Sequence, residues 1–265
     1  MSFAVRRPVT TFLLLMYPLG WTLVATAFVL HLPTEPSIAV ANFIGVLGPA
    51  VLVSYWIGRG AAVRRLFAGV LRWRAGIRWY LFAVLAMPLV TIPVSLVTGT
   101  LPHTAGGWAG MCLTYLMSLL VGAVFTNLWE EVAWAGFVQS RLTARRGLIL
   151  GSIITGPLFA AQHLPIVVAN GGGIVGILVL GLALAILSIF FRYVIGATLI
   201  DTGGSLIIVG ILHASSDASG NAFGTGWQQM ISSVAIALVV LAYRAVRHRS
   251  AAARPSTVEP APAAV

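Results

Sequence analysis

The strongest constraint in this chain is a succession of apolar runs, most of them about twenty residues or longer, joined by connections whose basic charge is all arginine. About 20 apolar residues cover the hydrocarbon core of a bilayer as a helix, where the backbone has no water to bond. A chain patterned this way folds as helices in lipid. Charged residues make up 8% of it, against about 25% in a soluble domain. The fold class read from the sequence is all-α, a polytopic transmembrane helix bundle.

Eight spans are expected, over residues 9–31, 37–58, 79–101, 108–140, 147–169, 173–193, 204–222 and 227–244. The first follows Arg6 and Arg7 and contains Ala25-Thr26-Ala27, a secretory-leader pattern. It is long enough to span, and it reads as an uncleaved helix. The third contains Pro88 and Pro93 and is expected to kink.

The arginines are distributed unevenly. Arg59, Arg64, Arg65, Arg72, Arg74 and Arg78 fill the second connection, Arg141, Arg145 and Arg146 the fourth, and Arg192 the sixth. Arg244, Arg247, Arg249 and Arg254 follow the last span. The odd-numbered connections contain none. Basic residues collect in cytoplasmic connections, so both termini are expected in the cytoplasm of a cell-membrane protein, and the span number is even. A net charge of +10 would ordinarily raise nucleic-acid binding. Here the arginines flank apolar runs, so membrane lipids are the partner and nucleic acid is not.

Residues 1–107 read as a transmembrane scaffold carrying a basic amphipathic helix at 59–78, with Trp73 and Trp79 at the boundary. Residues 108–222 read as the reactive core, 223–249 as a last helix, and 250–265 as a disordered Ala/Pro tail. Cys112 has no cysteine to pair with and reads as a small apolar group.

Only six residues are acidic, and two adjoin inside an apolar run, Glu130 and Glu131. Carboxylates at membrane depth cost about 3 kcal/mol or more unless they face protein or water. Glu35 and Glu259 lie in a loop and the tail, and Asp201 reads as a loop or cap residue. His31, His103 and His248 sit at span ends or in the tail. Glu130, Glu131, His163, His213 and Asp217 remain, all from about the middle of the chain onward.

His163 follows Phe159 by four positions, and His213 precedes Asp217 by four, so each pair shares a helix face. Glu131 is rotated by about 100° from Glu130, so one glutamate is expected to face a cavity and the other a neighbouring helix. Pro165 is expected to end the helix near His163. At 1.5 Å per residue Glu130 lies about 16 Å in from Arg141, and His163 about 24 Å in from Gly147. These groups are expected to meet in one wet cavity opening to the cytoplasm.

That set suits hydrolysis: a desolvated glutamate as base toward water, an imidazole to hold the water, a second to stabilise the oxyanion. Glu130, His163, His213 and Asp217 are also usual ligand types for a divalent metal such as zinc. There is no HExxH. A cation- or proton-coupled transporter, or a non-catalytic immunity or scaffold protein of the same fold, would use the same buried acids differently.

Taken together, Glu130-Glu131, Phe159-Ala160-Ala161-Gln162-His163 and His213-Ala214-Ser215-Ser216-Asp217 resemble the EExxxR, FxxxH and HxxxN/D motifs of a known family. It is the CAAX-processing and bacteriocin-processing (CPBP, or Abi) intramembrane proteases, which include the type II CAAX prenyl endopeptidases. The resemblance runs from about Leu119 to Asn221. It implies an eight-helix endopeptidase with a cytoplasm-facing cavity, acting on a membrane-anchored peptide or protein. Glu130 would activate water with His163, His213 and Asp217 would stabilise the oxyanion, and Glu131 would orient the site. Both metallo- and metal-free glutamate chemistry stay open under it. Two positions depart from the motifs. Ala135 stands where the family has arginine, so Glu131 needs another partner. Asp217 stands where an amide would donate, and Asn221, four positions on, is the alternative donor.

Overall fold

The computed structural model describes residues 3–104, 106–224 and 226–252. A single turn, α1 (Phe3–Arg6), leads into α2 (Pro8–Val29), α3 (Thr34–Val40) and α4 (Gly48–Phe67), the last two joined by a wide π-helical stretch, Ala41–Leu47. α5 (Ile77–Val97) and α6 (Gly107–Val121) follow. A second π stretch, Gly122–Thr126, enters the short α7 (Asn127–Glu131), and a third, Val132–Gln139, leaves it for α8 (Ser140–Gln162). α9 (Leu164–Asn170), α10 (Ile174–Asp201), α11 (Leu206–Phe223) and α12 (Gly226–Ala252) complete the described residues.

The protein is an all-helical, multi-pass membrane bundle. Among the described residues six stretches are long and apolar enough to cross a bilayer: Pro8–Val29, Thr34–Phe67, Ile77–Val97, Gly107–Gln162, Ile174–Asp201 and Trp227–Arg247. The expectation of eight differs in two places. Gly107–Gln162 contains a reversal at Gly147, whose φ of 77° suits glycine. Beyond it the chain folds back so closely that a Cβ on Gly151 would lie 3.1 Å from the Thr143 backbone. The other is α11, 18 residues long, in which His213, Asp217 and Asn221 lower the hydropathy. α11 is walled largely by other helices, so it needs less apolar surface than a lipid-facing span.

Three sequence expectations are corrected. The basic segment 59–78 is helical only to Phe67, followed by a turn and an irregular stretch to Gly76. Arg192 is not in a connection: α10 continues through it to Asp201, and Arg192 is 0% exposed. Residues 250–252 of the expected tail are helical; 253–265 lie outside the described residues.

The core lies toward the arginine-bearing ends of the helices. Phe12, Met16, Val132, Trp134, Phe137, Ile195, Ile208 and Leu212 are all fully buried there, and Phe12 meets Trp134 edge-on at 5.8 Å. α11 crosses α7 at Gly210, where a Cβ would stand 2.8 Å from the Leu128 Cα. Small residues permit such backbone approach between membrane helices. This contact sets the two glutamates beside His213.

Candidate active site

The glutamate pair occupies the five residues of α7, between two π-helical stretches. π turns within α-helices re-phase side chains and recur at functional sites. The outcome matches the expected division. Glu130 lines a cavity of about 770 Å³, and Glu131 is sealed against neighbouring helices at 0% exposure.

Both Glu130 oxygens accept from amides. Gln162 Nε2 donates to Oε1 at 2.6 Å, and Asn42 Nδ2 donates to Oε2 at 3.2 Å. Trp134 Nε1 donates to the Gln162 carbonyl oxygen, which fixes the amide with its NH2 toward Glu130. Glu130 is thus held by side chains from separate parts of the chain, Asn42 and the Trp134-anchored Gln162.

His163 stands where α8 ends, with φ −85° and ψ 4°, as Pro165 foretold. Its Nδ1 lies 3.2 Å from the Phe159 carbonyl. A carbonyl only accepts, so Nδ1 carries the proton and Nε2 is left as an acceptor. The Phe159 ring packs edge-on against both histidines, at 5.0 Å from His163 and 5.7 Å from His213. Glu130, His163 and His213 all line the same cavity.

Glu131 faces Arg192. Arg192 Nη1 donates to its two oxygens at 2.7 and 3.0 Å. The remaining guanidinium nitrogens donate to Gln139 Oε1, at 2.9 Å from Nε and 2.6 Å from Nη2. Gln139 in turn donates to the Arg192 carbonyl at 2.6 Å. The guanidinium that the motif would place at Ala135 therefore comes from α10. His213 Nδ1 approaches Glu131 Oε1 at 2.9 Å, a charge contact whose N–H is not aligned for a hydrogen bond.

Asp217 accepts from Asn127 Nδ2 at 2.8 Å and from Gln229 Nε2 at 2.9 Å, and lies 3.8 Å from His213 Nε2. It does not pair with Arg192. Asn221 is exposed on the cavity wall. Asp201 ends α10 and pairs with Arg244, away from the site.

The residues read as zinc ligands do not fit a three-ligand centre. Among the described residues no three His, Cys, Asp or Glu side chains converge on one point. Each Glu130 oxygen already has an amide donor, and His213 Nδ1 is turned to Glu131.

Sequence reasoning missed Asn42, Gln139, Gln162, Arg192 and Gln229. Asn42 was legible as a lone amide in an apolar run, as was Arg192 inside Phe190-Phe191-Arg192-Tyr193-Val194. The N-terminal region contributes to the site's surroundings: Asn42 reaches Glu130, and Glu35 stands on the cavity wall. The cavity lining comes from the arginine-free ends of the helices, while the arginine-bearing ends are closed by core.

Residues 112–219 match the family model of type II CAAX prenyl endopeptidase Rce1-like proteins. The match supports a CPBP/CAAX protease-like family. It spans Glu130, His163, Arg192, His213 and Asp217, and leaves out Asn42 and Gln229. No curated protein matches the chain.

Proposed function

We propose, starting from an Rce1-like protease segment laid over these residues, that the protein is an intramembrane endopeptidase of membrane-associated peptides or proteins, with Glu130 as its base. The observation that carries this reading is the convergence of Glu130 and two imidazoles on one polar-floored cavity within the bundle.

Glu130 takes a proton from a water whose other hydrogen is held by His163 Nε2. The oxygen adds to the scissile carbonyl carbon, giving a tetrahedral oxyanion. His213, as imidazolium between Glu131 and Asp217, donates from Nε2 toward that oxyanion. Glu130 then returns its proton to the leaving nitrogen, the C–N bond breaks, and an acid and an amine are released. Asn42 and Gln162 hold the carboxylate in place throughout, which supplies orientation before reaction. Glu131 and Arg192 hold His213. No step runs through a metal, because the donors do not form a centre for one.

The test uses purified protein in proteoliposomes with fluorogenic peptides anchored by an acyl chain. Glu130→Gln is expected to lower kcat by about 10²–10⁴-fold, with melting in detergent little changed, and His163→Ala to lower it as well. Dialysis against a chelator is expected to leave cleavage intact. Wild-type turnover equal to that of Glu130→Gln would refute the assignment.

A further inference from the structure

The cavity and the arginines occupy opposite ends of the bundle, and this fixes the side from which substrate arrives. Seven limbs of the chain contribute to the lining. Five do so with the part distant from the arginine-bearing end, as Val24 of α2, Glu35 of α3, Met117 of α6, His163 after α8 and Gln229 of α12 show, and α10 does so from its middle, Leu184 to Phe191. α11 follows the same rule. Its first residue bonds the Gly69 backbone, at the arginine-rich connection, and it meets the cavity only from His213 onward. No arginine lines the cavity among the described residues.

The two ends are also built differently. Beyond Glu130, toward Arg141, the chain is Val132, Ala133, Trp134, Ala135 and Phe137, all 0% exposed. Phe12 seals them from α2. In the other direction the cavity runs from Glu130 up to Glu35, an exposed residue in the first turn of α3. The connections there, 30–33, 98–106 and 171–173, contain no arginine.

Basic residues are retained on the cytoplasmic side of short connections. We propose that the catalytic cavity opens to the extracytoplasmic side, and that its substrates are peptide segments presented there by membrane-anchored molecules. This rests on the cavity being the hydrolytic site, and it reverses the cytoplasmic opening that the family resemblance implies. A peptide bond in the cytoplasm meets the sealed end, Phe12 and Trp134. One on the outer side meets an open path to Glu130.

The experiment reads accessibility and needs no activity. In a Cys112→Ser background, which removes the exposed native thiol, single cysteines are placed by Glu35→Cys at the rim, Ser118→Cys on the cavity wall and Arg145→Cys at the opposite end. A small membrane-impermeant thiol reagent is added to intact spheroplasts, and again after permeabilisation. The expected result is label on Glu35→Cys and Ser118→Cys in intact spheroplasts, and on Arg145→Cys only after permeabilisation. Three results would overturn the proposal: Arg145→Cys labelled in intact spheroplasts; Ser118→Cys labelled only after permeabilisation; or Ser118→Cys unlabelled under both conditions. Loss of the hydrolase reading would appear instead as equal cleavage by wild type and Glu130→Gln, with the labelling pattern intact.

Discussion

Glu130 and Glu131 are adjacent in the chain and inhabit different media. Glu130 stands on the floor of an open cavity, balanced by two neutral amides. Glu131, one residue on, is enclosed with a guanidinium that is itself fully buried. Under the proposed function the contrast separates two tasks. Glu130, the proposed base, must reach water and keep an orientation without being neutralised, which amide donors permit. Glu131, proposed to position His213, must not move, and an enclosed ion pair in which every guanidinium nitrogen donates achieves that. The pair stabilises only as a unit, because burying either charge alone is expensive.

The largest effect is expected from breaking the enclosed half. Arg192→Ala leaves Glu131 buried without a cation and should cost about 3–5 kcal/mol of stability, read as loss of folded protein in detergent. The double change Arg192→Met with Glu131→Leu should fold better than the single one, since apolar replacement of both partners is often tolerated. If Arg192→Ala melts like wild type, the distinction between the two glutamates fails.

A smaller effect sharpens the open half. Gln162→Ala removes one amide from Glu130 and frees Trp134 Nε1, so kcat should fall about tenfold, the equivalent of one hydrogen bond to a charged group. KM should hold, because Gln162 orients the base through its carboxylate. A change in KM alone would place Gln162 in substrate binding.

The smallest is expected at the rim of the same cavity. Asp217→Asn keeps the shape and leaves acceptor capacity for Asn127 or Gln229, so kcat should stay within about threefold, under 1 kcal/mol. A much larger loss would mean that the charge opposite His213 is required, and that the amide usual at this motif position cannot replace it.

The class of fold was legible because it follows from local quantities. Hydropathy over about 20 residues decides whether a helix can lie in lipid, and two carboxylates in such a run are costly enough to mark a site. The helix end at His163 was legible for the same reason, from Pro165 beside it. Counting apolar residues is least decisive where the cause is not local. α11 is bounded by protein, and the rule that counts apolar residues assumes lipid on the outside. Arg192 was misplaced because a connection was expected to hold the charge, while a carboxylate 61 positions earlier had already provided its counterion inside.

By itself, then, the order of residues determined a helical membrane bundle and singled out Glu130, Glu131, His163, His213 and Asp217 as candidates. Tertiary structure decided which glutamate faces the cavity, that Asn42 and Gln162 hold it, that α10 supplies the guanidinium absent at Ala135, and which parts of the helices line the cavity. The physical reason is range. Apolar patterning acts within one helix, whereas pairing a buried charge and leaving a cavity unfilled depend on side chains that only the packed bundle brings within 3 Å of each other.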